Sequence, residues 1–325
     1  VVQFHLGMTY LALGRVEEID SNLAARYMDM LCAHLDVKAI AKAKYRVVAD
    51  FCNGSGSTFA AEFARRLGIE LVPINDLNSG VLPHDPEPRP RSSFQVKSVM
   101  GPLKAHIGFV FNSDMSRVAV VTDSGATLSE EYSFPLAADH ILARTGSGSG
   151  VVTNWCSTRT LDEIVARRGG TLYKTKVGQA PIIDKMFEVG AAIAGDGSGS
   201  LALAGGAPGF DGFAAMAIIL ESMALQGKSS SQLADALPRY CIIKRTVPCQ
   251  SAHAYTLLRG FHGKFKDAVF NEEDGLRFDW KDGWLHLRAS MTEPIIRMIV
   301  EWKSQEGAED LALQVRSILD RLVYS

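Results

Sequence analysis

A ten-residue polar segment, 288–297, lies between two runs that are typical of β-strands, residues 283–287 and 298–302. It contains two arginines and two hydroxyl side chains: Arg288, Ser290, Thr292 and Arg297. An arginine can bind a phosphate group through two nitrogens, while hydroxyls and turn N–H groups donate to the remaining oxygens. The segment therefore predicts an oxyanion site on a turn between paired strands. The alternative is an ordinary polar turn, because turns favour the same residue types.

The order of residues in this segment resembles the phosphate-binding loop of the α-D-phosphohexomutases, the phosphoglucomutase/phosphomannomutase superfamily. That loop reads Arg-x-Ser-Gly-Thr-Glu-Pro-x-x-Arg, and the segment differs from it at one position, where Met291 replaces glycine. The resemblance implies that a hexose phosphate is the ligand of the four residues Arg288, Ser290, Thr292 and Arg297. Because glycine at a turn permits positive φ and close approach of a ligand, Met291 predicts an altered or strained loop.

Strand-like and helical patterns alternate along most of the chain, which is typical of α/β folds. The clearest unit has a strand at 45–50, a helix at 58–67 and a second strand at 69–74, and a similar series follows. A smaller α+β region comes after Pro238 and ends in an amphipathic helix at 310–324. With 325 residues, of which 47% are hydrophobic, the chain is long enough for two or three domains, each with its own core.

The resemblance extends over nearly the whole chain and implies domains two, three and four of a four-domain enzyme. The predicted fold is therefore α/β: two α/β/α domains of the phosphohexomutase type with mixed sheets, followed by a smaller α+β C-terminal domain. The predicted domain limits are 21–127, 128–240 and 241–325, and residues 1–20 are interpreted as a linker from a missing N-terminal domain. Because the chain begins with Val1, we expect it to be part of a longer protein.

A polar loop, residues 112–117, lies between two apolar runs in the first predicted domain. The corresponding family loop reads Asp-Gly-Asp-x-Asp-Arg, and its three carboxylates hold Mg²⁺. In this chain Asp114 is the one carboxylate left. Asn112 and Ser116 supply neutral oxygens, and Arg117 is retained as a supporting residue. Since Mg²⁺ is usually held through carboxylates, we expect a degenerate metal loop that binds the ion much more weakly, with an ordinary turn as the alternative.

Residues 195–199 resemble the family's Gly-Glu-x-Ser-Gly loop, which binds the sugar. A carboxylate and a hydroxyl two residues apart, Asp196 and Ser198, can bond to neighbouring sugar hydroxyls, and the glycines let the backbone approach the ring. Asp196 is one methylene shorter than the family's glutamate, so we expect its carboxylate to reach less far. Gln179 ends a segment that resembles another motif of the same family domain, and it is predicted as a supporting residue. A simple glycine-rich turn is the alternative for the loop.

No catalytic residue is predicted for this chain. In the family a serine in a Thr-x-Ser-His-Asn-Pro-like loop carries the transferred phosphoryl group, and no such stretch occurs in this sequence. We therefore expect a phosphohexomutase-like module that binds a hexose phosphate and is inactive on its own, a pseudoenzyme. Two alternatives remain open. The chain is the C-terminal three domains of an active phosphomannomutase/phosphoglucomutase, or it is a module fused to a sugar nucleotidyltransferase such as a mannose-1-phosphate guanylyltransferase.

Charge and composition argue against several other classes of function. The net charge of −2 and the isoelectric point near 6.5 provide no basic surface for nucleic acid. No apolar run is long enough to span a membrane and no signal peptide opens the chain, so a cytoplasmic location is predicted. The five cysteines are odd in number and lack Cys-x-x-Cys spacing, which indicates buried thiols rather than disulfides or a zinc site. No cofactor is expected.

Overall fold

The computed structural model of the protein describes residues 22–290 and 292–323. Its helices and strands form three successive units, each built on one β-sheet. In the first two units helices pack against a mixed sheet, and in the third unit helices pack against an antiparallel sheet. The predicted fold class is therefore confirmed. The predicted linker, residues 1–20, lies outside the described residues, and the domain limits remain predictions.

The strands of the first unit are β1 (Arg46–Asp50), β2 (Glu70–Ile74), β3 (Ile107–Phe111) and β4 (Val118–Thr122). They form a sheet in the order β2-β1-β3-β4, in which β1 is parallel to β2 and β3, and β4 is antiparallel to β3. The helices of this unit are α1 (Asn22–Cys32), α2 (Val37–Ala43), α3 (Ala60–Leu67) and α4 (Phe94–Leu103). The 112–117 loop is therefore the turn of the β3–β4 hairpin.

The second unit repeats this arrangement. Its strands are β5 (Gly150–Asn154), β6 (Thr171–Thr175), β7 (Ile193–Gly195) and β8 (Leu201–Leu203), in the order β6-β5-β7-β8 with β8 antiparallel to β7. Its helices are α5 (Ser133–Thr145), α6 (Arg159–Arg168), α7 (Gln179–Val189), α8 (Gly212–Gln226) and α9 (Ser230–Asp235). Because the two sheets share one topology, the β7–β8 turn at 196–200 is the counterpart of the 112–117 turn.

The strands of the third unit are β9 (Cys241–Pro248), β10 (Val269–Asn271), β11 (Leu276–Asp279), β12 (Gly283–Ala289) and β13 (Ile295–Trp302). The sheet order is β10-β11-β12-β13-β9, and α10 (Ser251–Arg259) and α11 (Gln305–Val323) pack on it. The adjacent antiparallel strands β12 and β13 confirm the two strands predicted around the 288–297 segment. Helix α11 begins at Gln305 rather than at 310, because Ser304 Oγ accepts a hydrogen bond from the N–H of Gly307 at 3.1 Å and caps its first turn.

The main hydrophobic core spans the first two units, and each of these units also has a smaller buried cluster of its own, so the expectation of separate cores holds for the smaller clusters and not for the main core. Phe213 of α8 packs against Phe51, Phe63 and Phe111 of the first unit, with ring centroids 4.6 to 6.3 Å apart. Helix α8 carries apolar residues on nearly every side and is buried almost throughout, which lets it contact both sheets. The third unit has a core of its own.

Two expectations from composition can be compared with the fold. All five cysteines are free thiols, but Cys52 alone among them is buried, and the other four are partly exposed. The expectation of buried thiols is therefore wrong for Cys32, Cys241 and Cys249, whereas the thiol of Cys156 is shielded from water although the residue is partly exposed. None of the described helices is both long enough and apolar enough to cross a bilayer.

Candidate functional site

A cleft of about 260 Å³ is lined by residues of all three units. Five predicted site residues line it: Arg117, Asp196, Ser198, Arg288 and Arg297. Within the described part of the chain, four others do not line it: Asp114, Gln179, Ser290 and Thr292. The fold thus brings residues of the predicted phosphate and sugar loops, 90 or more residues apart in the chain, into one cleft.

The two predicted phosphate-binding arginines face each other across the β12–β13 hairpin. Arg288 is directly opposite Arg297 in the strand register, so both side chains leave the same face of the sheet. The carboxylate of Asp274 is 3.8 Å from Arg288 Nη1, and Arg297 Nη2 donates to Glu293 Oε2 at 2.7 Å. Glu293 therefore pairs with Arg297 and not with Arg288. Two like charges directly opposite each other are unfavourable, and an anion between them would relieve the repulsion.

The hydroxyl groups of the same segment shape the turn rather than line the cleft. Ser290 Oγ accepts hydrogen bonds from the N–H groups of Thr292 at 3.4 Å and Glu293 at 3.3 Å. Thr292 is exposed. Met291, the residue that replaces the family's glycine, lies outside the described residues. The roles predicted for Ser290 and Thr292 in binding phosphate stay predictions.

The sugar-loop residues Asp196 and Ser198 bond to each other. Asp196 Oδ1 accepts from the N–H of Ser198 at 2.9 Å and from Ser198 Oγ at 2.5 Å, which turns this oxygen into its own loop. Gly199 has a φ of 84°, a conformation that favours glycine, and its carbonyl accepts from the N–H of Val118 in β4 at 3.0 Å. The loop is therefore anchored to the first unit. Gln179 is the exposed first residue of α7.

The 112–117 loop is closed by the amide of Asn112. Asn112 Nδ2 donates to Asp114 Oδ1 at 2.6 Å and to Ser116 Oγ at 2.9 Å, and Asn112 Oδ1 accepts from the N–H of Arg117 at 2.9 Å. Burial opposes ionisation of Asp114, but hydrogen bonds from Ser116 and Asn112 outweigh it and lower the pKa of its carboxyl. Mg²⁺ requires oxygen ligands, whereas here an NH₂ group points at the two oxygens that would hold it. The folded loop does not fit Mg²⁺.

No cluster of three or more histidine, cysteine, aspartate or glutamate side chains that would suit a metal ion occurs elsewhere in residues 22–290 and 292–323. Arg117 is paired with Glu87 of the loop after β2: its Nη1 lies 2.5 Å from both carboxylate oxygens. This pairing holds the guanidinium of Arg117 at the wall of the cleft.

A cysteine and a histidine that the sequence reasoning did not single out also line the cleft. Cys156 Sγ is 3.3 Å from His286 Nδ1, and His286 Nε2 is 2.6 Å from the carbonyl oxygen of Asp274. Because a carbonyl only accepts, Nε2 carries the proton and Nδ1 accepts from the thiol. Burial lowers the pKa of His286 to about 4, and burial together with the nearby Asp274 raises the pKa of Cys156 to about 12. Both groups are neutral near pH 7, so Cys156 is not a thiolate nucleophile.

Lys244 and Glu131 are further cleft residues that the sequence reasoning missed. Lys244 Nζ is 2.7 Å from Glu131 Oε1, and burial raises the pKa of Glu131 to about 7. Acids are common at the start of a helix, so Glu131 carries no distinguishing signal in the sequence, and a lone lysine in a strand carries no signal of its partner. Their contact joins residues that lie far apart in the chain.

Models of a known protein family match most of this chain. Three models of the phosphoglucomutase/phosphomannomutase family match it: the alpha/beta/alpha domain II at residues 25–125, the alpha/beta/alpha domain III at 129–240, and the C-terminal domain at 250–318.

Relatives in sequence and structure carry related names. A phosphoglucomutase/phosphomannomutase of Thermococcus kodakarensis is 30% identical over 286 residues, which are 87% of this chain and 62% of that protein. A probable phosphoglucosamine mutase of Pyrococcus furiosus is 29% identical over 286 residues, 86% of this chain and 62% of that protein. A crystal structure of a phosphoglucomutase/phosphomannomutase family protein from Burkholderia thailandensis is 27% identical, with a TM-score of 0.80 and coverage of 92% of this chain and 64% of that one. The chain thus spans less than two thirds of these relatives.

Proposed function

The chain belongs to the phosphoglucomutase/phosphomannomutase family, and we propose that it binds a hexose phosphate in the cleft between its three units. One observation carries the proposal: Arg288 and Arg297, opposite each other on one face of a hairpin, line the same cleft as the Asp196–Ser198 turn. A cationic group and a hydroxyl-binding group in one cleft match the two ends of a sugar phosphate.

The phosphate would lie between the guanidinium groups of Arg288 and Arg297. Arg288 is the better donor, because its neighbouring carboxylate is 3.8 Å away, whereas Arg297 must first exchange its 2.7 Å bond to Glu293. The sugar hydroxyls would bond to Ser198 and to the Asp196 oxygen that does not accept from Ser198. Because both loops are partly satisfied by their own hydrogen bonds, we expect weak binding of a hexose phosphate.

We further propose that this chain alone does not interconvert hexose phosphates. Mutase chemistry needs a group that accepts the phosphoryl group, and the cleft's cysteine is protonated near pH 7. The 112–117 loop has an amide and a hydroxyl in place of two of the family's three carboxylates. We therefore expect it to lack the bound metal ion whose charge would assist phosphoryl transfer. These observations support a phosphosugar-binding module without catalysis of its own.

The second candidate is an active mutase of which this chain is the C-terminal three domains. The names of the relatives and the partial coverage of their length favour it. In that case the phosphoserine would come from a domain outside this chain, and the cleft described here would hold the same ligand. No observation favours fusion to a nucleotidyltransferase, which remains a hypothesis.

Titration of the purified chain with glucose 6-phosphate and with inorganic phosphate tests the binding proposal. The Arg288→Ala variant should lose about 1.5 to 3 kcal/mol of binding free energy for both ligands, the range of a charge-assisted hydrogen bond. Arg316→Ala is the matched control, because Arg316 is an exposed arginine paired with Asp320 on α11, away from the cleft. If Arg288→Ala lowers the melting temperature and leaves both affinities unchanged, the hairpin arginines are structural and the proposal is wrong.

A further inference from the structure

Glu131 combines burial with an unused hydrogen-bonding atom. It lines the cleft, yet only 2% of its surface is exposed. Its Oε1 lies 2.7 Å from Lys244 Nζ, whereas its Oε2 has no hydrogen-bond partner within the described residues. A buried carboxylate oxygen without a partner is unfavourable for folding. A role of Glu131 in ligand binding, rather than in stability, would explain why this oxygen lies beside the cleft.

The carboxylate of Glu131 fills the space directly under the sugar loop. A Cβ atom at residue 197 would overlap Glu131 Oε2, so Gly197 can lie where it does because it has no side chain. The neighbouring Asp196 turns one oxygen back into its own loop and gives that loop no support from outside. Glu131 therefore packs against Gly197 and supports this side of the sugar loop, whose other end is anchored through the Gly199 carbonyl.

Lys244 connects this support to the third unit. Its ammonium group is 2.7 Å from Glu131 Oε1, 3.0 Å from Glu130 Oε1 and 3.3 Å from the carbonyl oxygen of Gly197. Three N–H donors thus meet three oxygens of the second unit. Lys244 lies on β9, the strand that pairs with β13, which carries Arg297. The sugar loop and the phosphate-binding hairpin are therefore connected through the Lys244 side chain and the paired strands β9 and β13.

We propose that Glu131 is a positioning residue of the sugar site, which acts through Gly197 and Lys244 to hold the Asp196–Ser198 turn at a set distance from the arginine pair. The inference rests on the proposed function, because it concerns the sugar end of the same ligand. A phosphate ion contacts the arginines alone and does not need this distance. A hexose phosphate must reach both ends, so its affinity depends on where the sugar loop lies.

The ionisation of Glu131 offers a second measurement of this role. The charged groups that face it are Lys244 from β9, Glu130 from its own turn and Glu301 from β13. Burial raises the pKa of Glu131 to about 7, against the attraction of Lys244. Below that pH the carboxyl takes up a proton and its attraction for the ammonium group of Lys244 weakens. Support for the sugar loop should therefore decrease as the pH falls through this range.

The test compares Glu131→Gln with Glu309→Gln in the full chain, by calorimetric titration with inorganic phosphate and with glucose 6-phosphate. Glutamine keeps the shape of the side chain and removes the charge. Glu309 is the matched control, because it pairs at 2.6 Å with Arg245, the residue after Lys244 on β9, and does not touch the sugar loop. Glu131→Gln should weaken glucose 6-phosphate binding about tenfold or more, the range of a lost charge-assisted hydrogen bond, while phosphate affinity stays within about twofold. Glu309→Gln should change neither affinity by more than about twofold.

The ratio of the affinity for glucose 6-phosphate to that for phosphate should depend on pH in the unmodified chain and not in Glu131→Gln. In the unmodified chain the preference for glucose 6-phosphate over phosphate should fall between about pH 8 and about pH 6, as Glu131 is protonated. In Glu131→Gln the preference should be small and nearly constant. Because the phosphate groups titrate identically in both proteins, the variant is the reference for their own ionisation.

Each other outcome contradicts a specific claim. An equal loss of affinity for both ligands in Glu131→Gln, or a lower melting temperature with an unchanged ratio, means that Glu131 is structural. If the unmodified chain binds phosphate without any preference for the sugar phosphate, the sugar loop makes no contribution and the inference is wrong. If it binds neither ligand, the proposed function fails, and the inference fails with it. Should Glu131→Gln not fold, Gly197→Ala displaces the same loop from above and must lower the ratio in the same way.

Discussion

Replacing Asn112 and Ser116 by aspartate should convert the 112–117 loop into a Mg²⁺ site. In the unmodified loop Asn112 Nδ2 takes the place of a cation, with hydrogen bonds of 2.6 Å to Asp114 Oδ1 and 2.9 Å to Ser116 Oγ. The double variant loses both bonds and places three carboxylates around one point. Three carboxylates without a cation repel one another, and three carboxylates with an oxygen-preferring ion are a site that Mg²⁺ binds well.

The magnitude follows from the bonds that are exchanged. The bond to the Asp114 carboxylate contributes about 1.5 to 3 kcal/mol and the bond to the Ser116 hydroxyl about 0.5 to 1.5 kcal/mol. Without metal the double variant should therefore be less stable than the unmodified chain by about 2 to 4.5 kcal/mol. Mg²⁺ at a concentration one hundred times its dissociation constant should restore about 2.7 kcal/mol. The stability of the variant becomes dependent on Mg²⁺, and that of the unmodified chain stays independent of it.

Thermal unfolding with and without about 10 mM MgCl₂, at matched ionic strength, measures this difference, and calorimetric titration measures the stoichiometry. Asp114→Ala in the double variant is the control and should abolish the response to Mg²⁺. A stoichiometric Mg²⁺ site of sub-millimolar affinity in the unmodified chain, lost in Asp114→Ala, would refute the reasoning. So would a double variant that is destabilised equally with and without the ion.

Four other outcomes are expected. The purified chain should not convert glucose 1-phosphate to the 6-phosphate even with the bisphosphate activator, and turnover by a preparation free of contaminating mutase would contradict this. Met291→Gly should keep or increase phosphate affinity in a titration, because glycine restores backbone freedom at the turn. Phe213→Ala should destabilise the fold by about 3 to 5 kcal/mol, and hydrogen exchange should show the first two sheets losing protection together. Burial lowers the pKa of His286 to about 4, so as the pH falls this histidine takes up a proton in the unfolded chain before it does so in the folded one. The free energy of unfolding should therefore decrease between about pH 6.5 and about pH 4. In His286→Gln, denaturant titrations should show a smaller change in the free energy of unfolding over this pH range.

The hairpin at Arg288 could be predicted because everything that defines it is adjacent in the chain. Alternating apolar residues flank a turn whose arginines and hydroxyls are a few positions apart, and β12 and β13 pair as that pattern requires. The 112–117 loop and the sugar loop were located through their resemblance to short motifs of the family, and in the structure each is a turn between two antiparallel strands. Local spacing carries local structure.

The hydrogen-bond and ion-pair partners of these side chains could not be predicted in this way. Lys244 bonds to Gly197 and Glu130, which are 47 and 114 residues away, and no spacing rule joins such positions. Glu293 is close in the chain to both arginines, and the folded turn pairs it with Arg297. The sequence does not show which end of the Asn112 amide faces Asp114 and Ser116. In the structure the amide oxygen accepts from the N–H of Arg117, so the NH₂ group faces these two residues.

The separate core of the third unit bears on how the cleft works. The first two units share a core and should move as one body, whereas the third is attached to them through polar contacts. Arg159 donates through its N–H to Glu301 at 2.8 Å and through its guanidinium to Asp279 at 2.9 Å, and Lys244 adds its bonds under the sugar loop. Interfaces of this polar kind commonly permit relative motion of domains. A ligand held by the arginine pair and the sugar loop would bridge this joint, so the affinity for a hexose phosphate, unlike that for phosphate, should depend on the relative position of the units.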